Sequence, residues 1–316
     1  SLRNLGNPEF QEAHSVDYSY CVAPFERRVC GVELVSTLAR AGFLGFSPVD
    51  FMSIDEVNGI IKRLQEECGG NAFGLGLKYH PHHPDLEERL FELFVSSDTR
   101  YLYISNYLRA SKAMVHYRLN GLQRDSRGKP VARRQLFVST PHIALAEYFA
   151  RPAPAELVKE LLDEGRITED EAKLADKLPL SEDIVVEPTP SKGGSLVDGM
   201  SIFPAIKGAI RDMRPLTASV RLGLAGELAT PEAVNAAYQL GADFVVTGAV
   251  NSLAKEAGGA SRRKEILAKA KPEDFVAAPS FEYLDADYRV KVCKFGTMFA
   301  NKAKRLEEIY QSSMDL

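Results

Sequence analysis

Short runs of β-prone, mostly apolar residues recur along the chain, and segments with helical periodicity separate them. The runs are Tyr18–Val22, Phe43–Phe46, Phe73–Leu77, Arg100–Ser105, Gln135–Ser139, Asp183–Glu187, Ser219–Gly226 and Asp243–Thr247. Most of them are continuously apolar rather than alternating, which is typical of strands that are covered on both faces. Because helical segments alternate with these runs, the pattern predicts eight strands with parallel pairing in an α/β protein.

The segments between the runs have the features of amphipathic helices. In "SIDEVNGIIKRLQEECGG", Ser53 and Glu56 have the spacing of a capping box, and apolar residues recur on one stripe. Eight strand–helix units in a row predict a closed (β/α)8 barrel of the triosephosphate-isomerase (TIM) type. The alternative is an open doubly wound sheet, which is disfavoured because no run is followed by a GxGxxG turn.

One connection, between the fifth and sixth runs, is too long for a single helix. Its second part, Pro152–Pro179, has the pattern of two helices, the second of which is capped by Thr168. Long inserts on a barrel are often lids or binding elements. We therefore predict a barrel formed by 1–150 and 183–316, and a helical lid or insertion over 151–182 near the barrel mouth.

Active sites of such barrels lie at the carboxyl ends of the strands and in the loops that follow. Loops after the seventh and eighth strands often hold a phosphate through backbone N–H groups and a helix N-terminus. "AGE" and "TGAVN" stand at these places, so Gly226, Glu227, Thr247 and Gly248 are candidate phosphate contacts. Glu187 ends the sixth run, where a carboxylate serves either as a general base or as a hydrogen-bonded structural group.

Two further motifs have both a chemical and a structural interpretation. "YHPHHPD" presents His80, His82 and His83, but the intervening prolines extend the chain, so a solvated loop is favoured over a metal site. Cys21 at the first strand end is favoured as a buried apolar residue over a nucleophile. Paired arginines elsewhere either dock an acidic partner or form a solvated face.

Composition and charge narrow the function. The 316 residues carry a net charge of -4, which disfavours a nucleic-acid partner. No apolar stretch approaches the ~20 residues of a membrane helix, and the opening residues do not resemble a secretory signal. The four cysteines form no CxxC pair and fit no zinc spacing, so we expect reduced thiols, a cytoplasmic protein and no bound metal.

Motifs that span almost the whole chain occur in a distinctive order, among them "LGNPEFQEAHSVDYSY", "MVHYRLNGLQRDSRGKPVARRQ", "RPAPAELVKELLDEGRITEDEAKLA" and "VKVCKFGTMFANKAKRLEEIY". Their order resembles the PfaD-type trans-acting enoyl reductases of polyketide and polyunsaturated fatty acid synthases, which are nitronate-monooxygenase-like flavoproteins. The resemblance implies a barrel that binds flavin mononucleotide (FMN), has a helical lid, and reduces a double bond on an acyl group held by an acyl carrier protein. NAD(P)H would take part only where FMN is bound.

The chain departs from this family at positions that the resemblance assigns to flavin or catalysis. Family members typically carry Ala-Asp-Ser-Gly-Gly-His-Thr after the sixth strand, whereas this chain has "PTPSKGGSL", so Gly193 or Ser195 takes the place of the histidine. Gly76 stands where the family has asparagine, and Phe137 stands where it usually has lysine. Glu227 replaces the second glycine of the phosphate turn.

These replacements share a direction, because they remove contacts with FMN or add negative charge beside its phosphate. A carboxylate about 4 Å from the phosphate dianion would cost on the order of several kcal/mol at an effective dielectric constant of about 20. A lost cationic partner removes a hydrogen bond of roughly 1.5–3 kcal/mol. We therefore expect FMN binding to be weakened or lost.

The predicted function is that of a diverged enoyl-reductase-like protein that acts on carrier-bound acyl chains within a polyketide or polyunsaturated fatty acid synthase. Without flavin, proton transfer such as double-bond migration is more plausible than hydride transfer, and Glu187, Lys192 and Ser195 are the candidate catalytic residues. The alternatives are a conventional FMN-dependent enoyl reductase and an inactive scaffold of the synthase. A homodimer is the self-assembly that we consider.

Overall fold

The computed structural model describes residues 2–80, 83–188, 199–214, 216–280 and 289–314. The chain forms two compact units. The first unit comprises Ser1–Glu187 and Gly199–Gly258, and the second comprises Pro188–Asp198 and Gly259–Leu316. Residues 259–316, which the sequence assigned to the barrel, thus belong to the second unit, because the two strands within them pair with each other.

Eight parallel strands of the first unit close into a barrel, as the sequence predicted. The strands of this unit are β1 (Tyr20–Val22), β2 (Leu44–Pro48), β3 (Gly74–Lys78), β4 (Tyr101–Ser105), β5 (Gln123–Arg124), β6 (Pro130–Val131), β7 (Gln135–Ser139), β8 (Asp183–Val186), β9 (Arg221–Ala225) and β10 (Phe244–Thr247). The short strands β5 and β6 form an antiparallel hairpin, and the other eight form the barrel. Because β1 pairs with both β2 and β10, the sheet is closed, which excludes the open alternative.

Helices follow the strands and cover the barrel from outside. They are α1 (Pro8–His14), α2 (Val32–Arg40), α3 (Ile54–Glu67), α4 (Pro84–Ser96), α5 (Lys112–Leu119), α6 (Ile143–Phe149), α7 (Ala155–Asp163), α8 (Glu169–Leu174), α9 (Gly199–Asp212) and α10 (Pro231–Gln239). The capping box predicted for α3 is present, since the Ser53 and Glu56 side chains each accept from the other residue's backbone N–H. Short 3-10 turns include Ala249–Leu253 after β10.

The barrel interior is filled by layers of side chains, as in other barrels of this type. Its middle layer is aromatic, and the ring of Phe46 packs edge to face on Tyr103 at 5.3 Å and on Phe137 at 5.1 Å between centroids. Below this layer, Phe10 of α1 stacks on Phe244 of β10 at 4.5 Å. The aromatic layer therefore forms a solid floor beneath the barrel mouth.

A buried ion cluster closes the N-terminal end of the barrel. Arg221 donates two hydrogen bonds of 2.7 Å to the carboxylate of Asp183, and Nε2 of His14 lies 3.0 Å from Oδ2 of the same carboxylate. Burial by itself would raise the pKa of Asp183, but the charges of His14 and Arg221 outweigh it and hold that pKa well below its usual range. This end of a barrel serves stability rather than catalysis.

The insert between β7 and β8 forms the two predicted helices, and Thr168 caps α8 as predicted. The insert packs on the flank of the barrel beside α5. At the start of α5, Lys112 donates to Glu164 at 2.6 Å, and just after its end the backbone N of Gly121 donates to Glu171 at 2.6 Å. The insert thus lies alongside α5, a position that the sequence did not predict, and its role as a lid stays a prediction.

The second unit contains an antiparallel hairpin and two helices. Its elements are α11 (Ser261–Lys269), β11 (Phe275–Pro279), β12 (Arg289–Cys293) and α12 (Phe299–Met314). The helix α12 packs on the hairpin through Ala300 and Ala303, which are buried with Ala278. Within the described residues of both units, no helix has the length and apolar character needed to cross a membrane.

Candidate active site

Three polar side chains meet at the carboxyl end of the barrel. Tyr103 of β4 donates a hydrogen bond of 2.6 Å to Oε2 of Glu187, and Ser139, the last residue of β7, donates a second bond of 2.6 Å to the same oxygen. Glu187 directly follows β8. Residues two apart on a strand point to the same face, so Ser139 and Glu187 form the layer above Phe137 and Val185. The three side chains therefore line the mouth from the β4–β8 side.

Tyr103 is held in its protonated form. Its side chain is 3% exposed, and burial, followed by the charge of Glu187, raises its pKa well above the ordinary value of a phenol. A protonated phenol and a serine hydroxyl are both donors here, so two hydrogen bonds orient Oε2, and neither uses Oε1. This geometry orients a carboxylate and leaves its other oxygen for proton exchange with a ligand above the aromatic layer.

The sequence identified Glu187 but did not predict Tyr103 or Ser139 as its partners. The period-two alternation of β4 could have suggested that Tyr103 faces inward with Tyr101 and Ser105. It could not have shown that the phenol reaches the end of β8, since β7 separates the two strands.

Phe137 does not lie at the strand end, where the sequence analysis placed it. Its side chain is fully buried in the aromatic layer, between Phe46 and Phe244. Ser139 occupies the strand end instead, because β7 continues for two residues beyond Phe137. The position is therefore one of core packing, and a lysine there would have to bury its ammonium group among aromatic rings.

The candidate phosphate turn after β9 keeps a special backbone conformation. Gly226 has φ of 89° and Glu227 has φ of 57°, both in the left-handed region. Glycine adopts this conformation freely, whereas Glu227 adopts it at a cost in strain. The side chain of Glu227 is exposed, so the turn presents a carboxylate to solvent.

The described residues at this turn fit FMN poorly. The FMN phosphate is a dianion that needs N–H donors and cationic side chains, and Glu227 brings negative charge to the place where the family resemblance locates that phosphate. Phe137 supplies no cation, because its side chain belongs to the core. We therefore route no step of the chemistry through flavin.

The other candidate cofactor contacts have structural partners. Thr247 is buried, where its hydroxyl accepts a hydrogen bond from Asn251 at 3.0 Å. Gly248 precedes the Ala249–Leu253 turn. A Cβ atom at Gly76 would collide with the ring of Pro24, so glycine is needed there for close packing between the β1 loop and β3. Phosphate or flavin contact at these residues stays a prediction.

The remaining candidates divide between buried and undescribed positions. Cys21 is fully buried, and burial raises its pKa well above the usual range, so its thiol stays protonated. Lys192 and Ser195, the other candidate catalytic residues, lie outside the described residues, as does His82. The rings of His80 and His83 stack at 5.0 Å, and the described part of the chain contains no group of three or more metal-binding side chains.

Known proteins similar to this chain come from polyketide and polyunsaturated fatty acid synthesis, although no family model matches it. The chain is 32% identical over 318 residues to the polyketide biosynthesis protein PksE of Bacillus subtilis, with 98% of the chain and 41% of PksE covered. It is 28% identical over 319 residues to part of the polyunsaturated fatty acid synthase of a Thraustochytrium species, where the match covers 98% of the chain and 21% of the synthase polypeptide. The chain thus spans well under half the length of these relatives.

A solved structure agrees with these sequence matches. The enoyl reductase domain of MlnA, from the macrolactin cluster of Bacillus amyloliquefaciens, superposes with a TM-score of 0.91 at 26% identity, covering 99% of this chain and 71% of that domain. FabK of Thermotoga maritima, at 15% identity and a TM-score of 0.63, shares the fold alone. The chain belongs to the PfaD-like, enoyl-reductase-type proteins of polyketide and polyunsaturated fatty acid synthases.

Proposed function

We propose that the chain is a diverged enoyl-reductase-type component of a polyketide or polyunsaturated fatty acid synthase, in which FMN use is weakened or lost. Its substrate is an acyl chain bound as a thioester to an acyl carrier protein, and its reaction is migration of a double bond. The observation that carries this proposal is the carboxylate of Glu187, oriented at the barrel mouth by Tyr103 and Ser139.

Double-bond migration needs only a positioned base and acid. Glu187 removes a proton from the γ-carbon of an α,β-unsaturated thioester, and the electron pair shifts to form a dienolate. The same carboxyl group then returns the proton to the α-carbon, so the double bond lies between the β- and γ-carbons. No electron is gained or lost in the cycle, and neither flavin nor nicotinamide takes part.

Tyr103 and Ser139 support this role by orienting Glu187. Both donate to Oε2, which directs Oε1 to the substrate and resists rotation of the carboxyl group. The aromatic layer below excludes water from one side of the carboxylate, since Phe46 and Phe137 are fully buried. Lys192 and Ser195 are proposed as further polar groups of the site.

A second candidate function is that of a conventional FMN-dependent enoyl reductase. It is favoured by the similarity to the MlnA enoyl reductase domain and by the left-handed backbone at Gly226 and Glu227, which retains the shape of a phosphate turn. In that case NAD(P)H would supply the hydride through bound FMN. A third candidate, an inactive scaffold within the synthase, would bind the carrier protein without turnover.

One experiment separates these functions. The purified protein is incubated in D2O with a trans-2-enoyl group on a carrier protein, with and without added FMN and NADPH. Mass spectrometry and NMR of the released acyl group then report deuterium uptake and double-bond position. Migration with deuterium incorporation, independent of FMN and NADPH, supports the proposal.

The other outcomes contradict the proposal in distinct ways. Saturation of the double bond that requires FMN and NADPH, together with a flavin absorption band in the purified protein, supports the conventional reductase. No conversion under any condition, with carrier binding intact, supports the scaffold. A Glu232→Gln variant is a matched control for Glu187→Gln, because Glu232 lies in the first turn of α10.

A further inference from the structure

Phe51 adopts a backbone conformation that bulky residues avoid. It follows the end of β2 by three residues, and its φ is 57°. The left-handed conformation costs an L-residue roughly 1–2 kcal/mol. The side chain nevertheless remains 47% exposed, so burial of the ring does little to offset this strain. Folding stability alone would favour glycine here, which points to a role in binding.

Strain of this kind is concentrated at the mouth of the barrel. The non-glycine residues with left-handed φ in the described part of the chain are Ser15, Phe51, Asp98, Asn106 and Glu227. Three of these five follow the carboxyl ends of β2, β4 and β9, at the end of the barrel that carries Glu187. Strained backbone persists most often where it positions groups for a ligand.

Large apolar side chains are exposed on the same end of the barrel. Phe25, in the loop after β1, is 42% exposed, and Leu108, in the loop after β4, is 73% exposed. The ring of Phe51 meets the ring of His80, in the loop after β3, at 5.4 Å and nearly at a right angle. We call the surface formed by Phe25, Phe51, His80 and Leu108 the β1–β4 rim.

Hydrogen bonds attach the rim to the strand ends. The backbone N of Lys78 donates to Oδ1 of Asp50 at 2.7 Å, which ties the β2 loop to β3. The backbone N of Tyr79 donates to the carbonyl of Ser105 at 3.0 Å, which ties the β3 loop to β4. Ser105 is in register with Ser139, so the rim reaches the hydroxyl that binds Glu187 through adjacent strand ends.

We propose that the β1–β4 rim binds the aliphatic part of the acyl chain, and that Phe51 is a specificity-determining residue for chain length. The inference rests on the proposed function, because it assumes a thioester that reacts at Glu187. An apolar and aromatic surface beside the reacting carboxylate suits an uncharged hydrocarbon chain, whose burial gains free energy with each methylene group.

The test compares wild-type protein with Phe51→Gly and Ser15→Gly by isothermal titration calorimetry. Glycine relieves left-handed strain at both positions, but Ser15 lies at the end of α1, at the opposite end of the barrel. The ligands are trans-2-enoyl pantetheine thioesters with short and long chains of roughly four and twelve carbons. We expect Phe51→Gly to weaken binding of the long thioester about tenfold and to leave the short one unchanged, while Ser15→Gly changes neither.

Three results would overturn the inference. The first is equal affinity of wild type and Phe51→Gly for the long thioester, and the second is an equal loss for both chain lengths. The third is failure of the wild type to bind either thioester. The proposed function is judged separately, by conversion of the carrier-bound enoyl group in D2O, so the rim can fail while the migration activity stands. Thermal unfolding of each variant confirms that it is folded.

Discussion

The phenol of Tyr103 and the carboxylate of Glu187 lie 2.6 Å apart, donor to acceptor, at the mouth of the barrel. Tyr103 belongs to the aromatic middle layer and Glu187 to the layer above it, so the hydrogen bond joins the packed core to the candidate site. The ion cluster at the other end differs in kind, because the charge of Asp183 is satisfied internally by His14 and Arg221. One buried acid serves stability, and the other is available for chemistry.

Replacement of Glu187 by glutamine should remove the migration activity while preserving the fold. The amide oxygen can still accept from Tyr103 and Ser139, but the side chain no longer exchanges a proton. General acid–base catalysis is worth about 10²–10⁴-fold, so we expect a loss of that size in deuterium incorporation. Activity of Glu187→Gln equal to that of the Glu232→Gln control would remove Glu187 from the mechanism.

Two substitutions at Glu227 should separate charge from strain. Glu227→Gln removes the negative charge and keeps a left-handed residue with a side chain, whereas Glu227→Gly removes both. We expect both variants to bind FMN more tightly than wild type in a fluorescence titration, because the phosphate no longer faces a carboxylate. Only Glu227→Gly should also gain about 1 kcal/mol of stability in urea unfolding. Tight FMN binding by the wild type would contradict the charge argument.

Replacement of Phe137 by lysine should destabilise the barrel rather than create a phosphate contact. The ring is fully buried among other aromatic rings, and a lysine there would lose both packing and hydration. Truncation of a buried phenylalanine costs about 3–5 kcal/mol, and we expect Phe137→Lys to lose at least that much in urea unfolding. Phe137→Leu, which keeps an apolar side chain, is the matched control. A stable Phe137→Lys variant that binds FMN would show that the strand end lies elsewhere.

Asp183→Asn should lower stability strongly and flatten its dependence on acid. Removing one partner of a buried ion pair typically costs about 3–5 kcal/mol. The folded-state pKa of Asp183 is depressed, so its contribution is fully present above the ordinary pKa of an aspartate. That contribution is lost as the pH falls below this ordinary value toward the depressed one. Urea unfolding from neutral to acidic pH should show a steeper loss for wild type than for Asp183→Asn, and parallel curves would contradict this assignment.

Leu161→Ala tests whether the insert is part of the barrel's packing. Leu161 of α7 is fully buried, and deletion of such a side chain costs about 2–5 kcal/mol. We expect a loss in that range in global urea unfolding, whereas Glu156→Ala, on the exposed first turn of the same helix, should change little. A lid that opens freely would unfold locally, and Leu161→Ala would then leave the global transition unmoved.

Many features of the fold and part of the site were predictable from the sequence. Ser53 and Thr168 cap their helices as predicted, because a cap depends on residues within one turn. The position of Glu187 at the end of β8 followed from the end of an apolar run. The location of Phe137 did not, because its run could not show how far β7 extends towards the mouth. The position of the insert beside α5 depends on partners such as Gly121, which lies outside it in sequence.

The eight barrel strands and the helices between them follow from the amino-acid sequence alone, since hydrophobic period and capping are local properties of the chain. The meeting of side chains at the mouth, in contrast, depends on the folded barrel. Tyr103 and Glu187 are separated by 84 positions, and their contact depends on the layer each occupies inside the barrel. That layer is set by strand register, which arises when distant strands pair and their inward-facing side chains pack against one another.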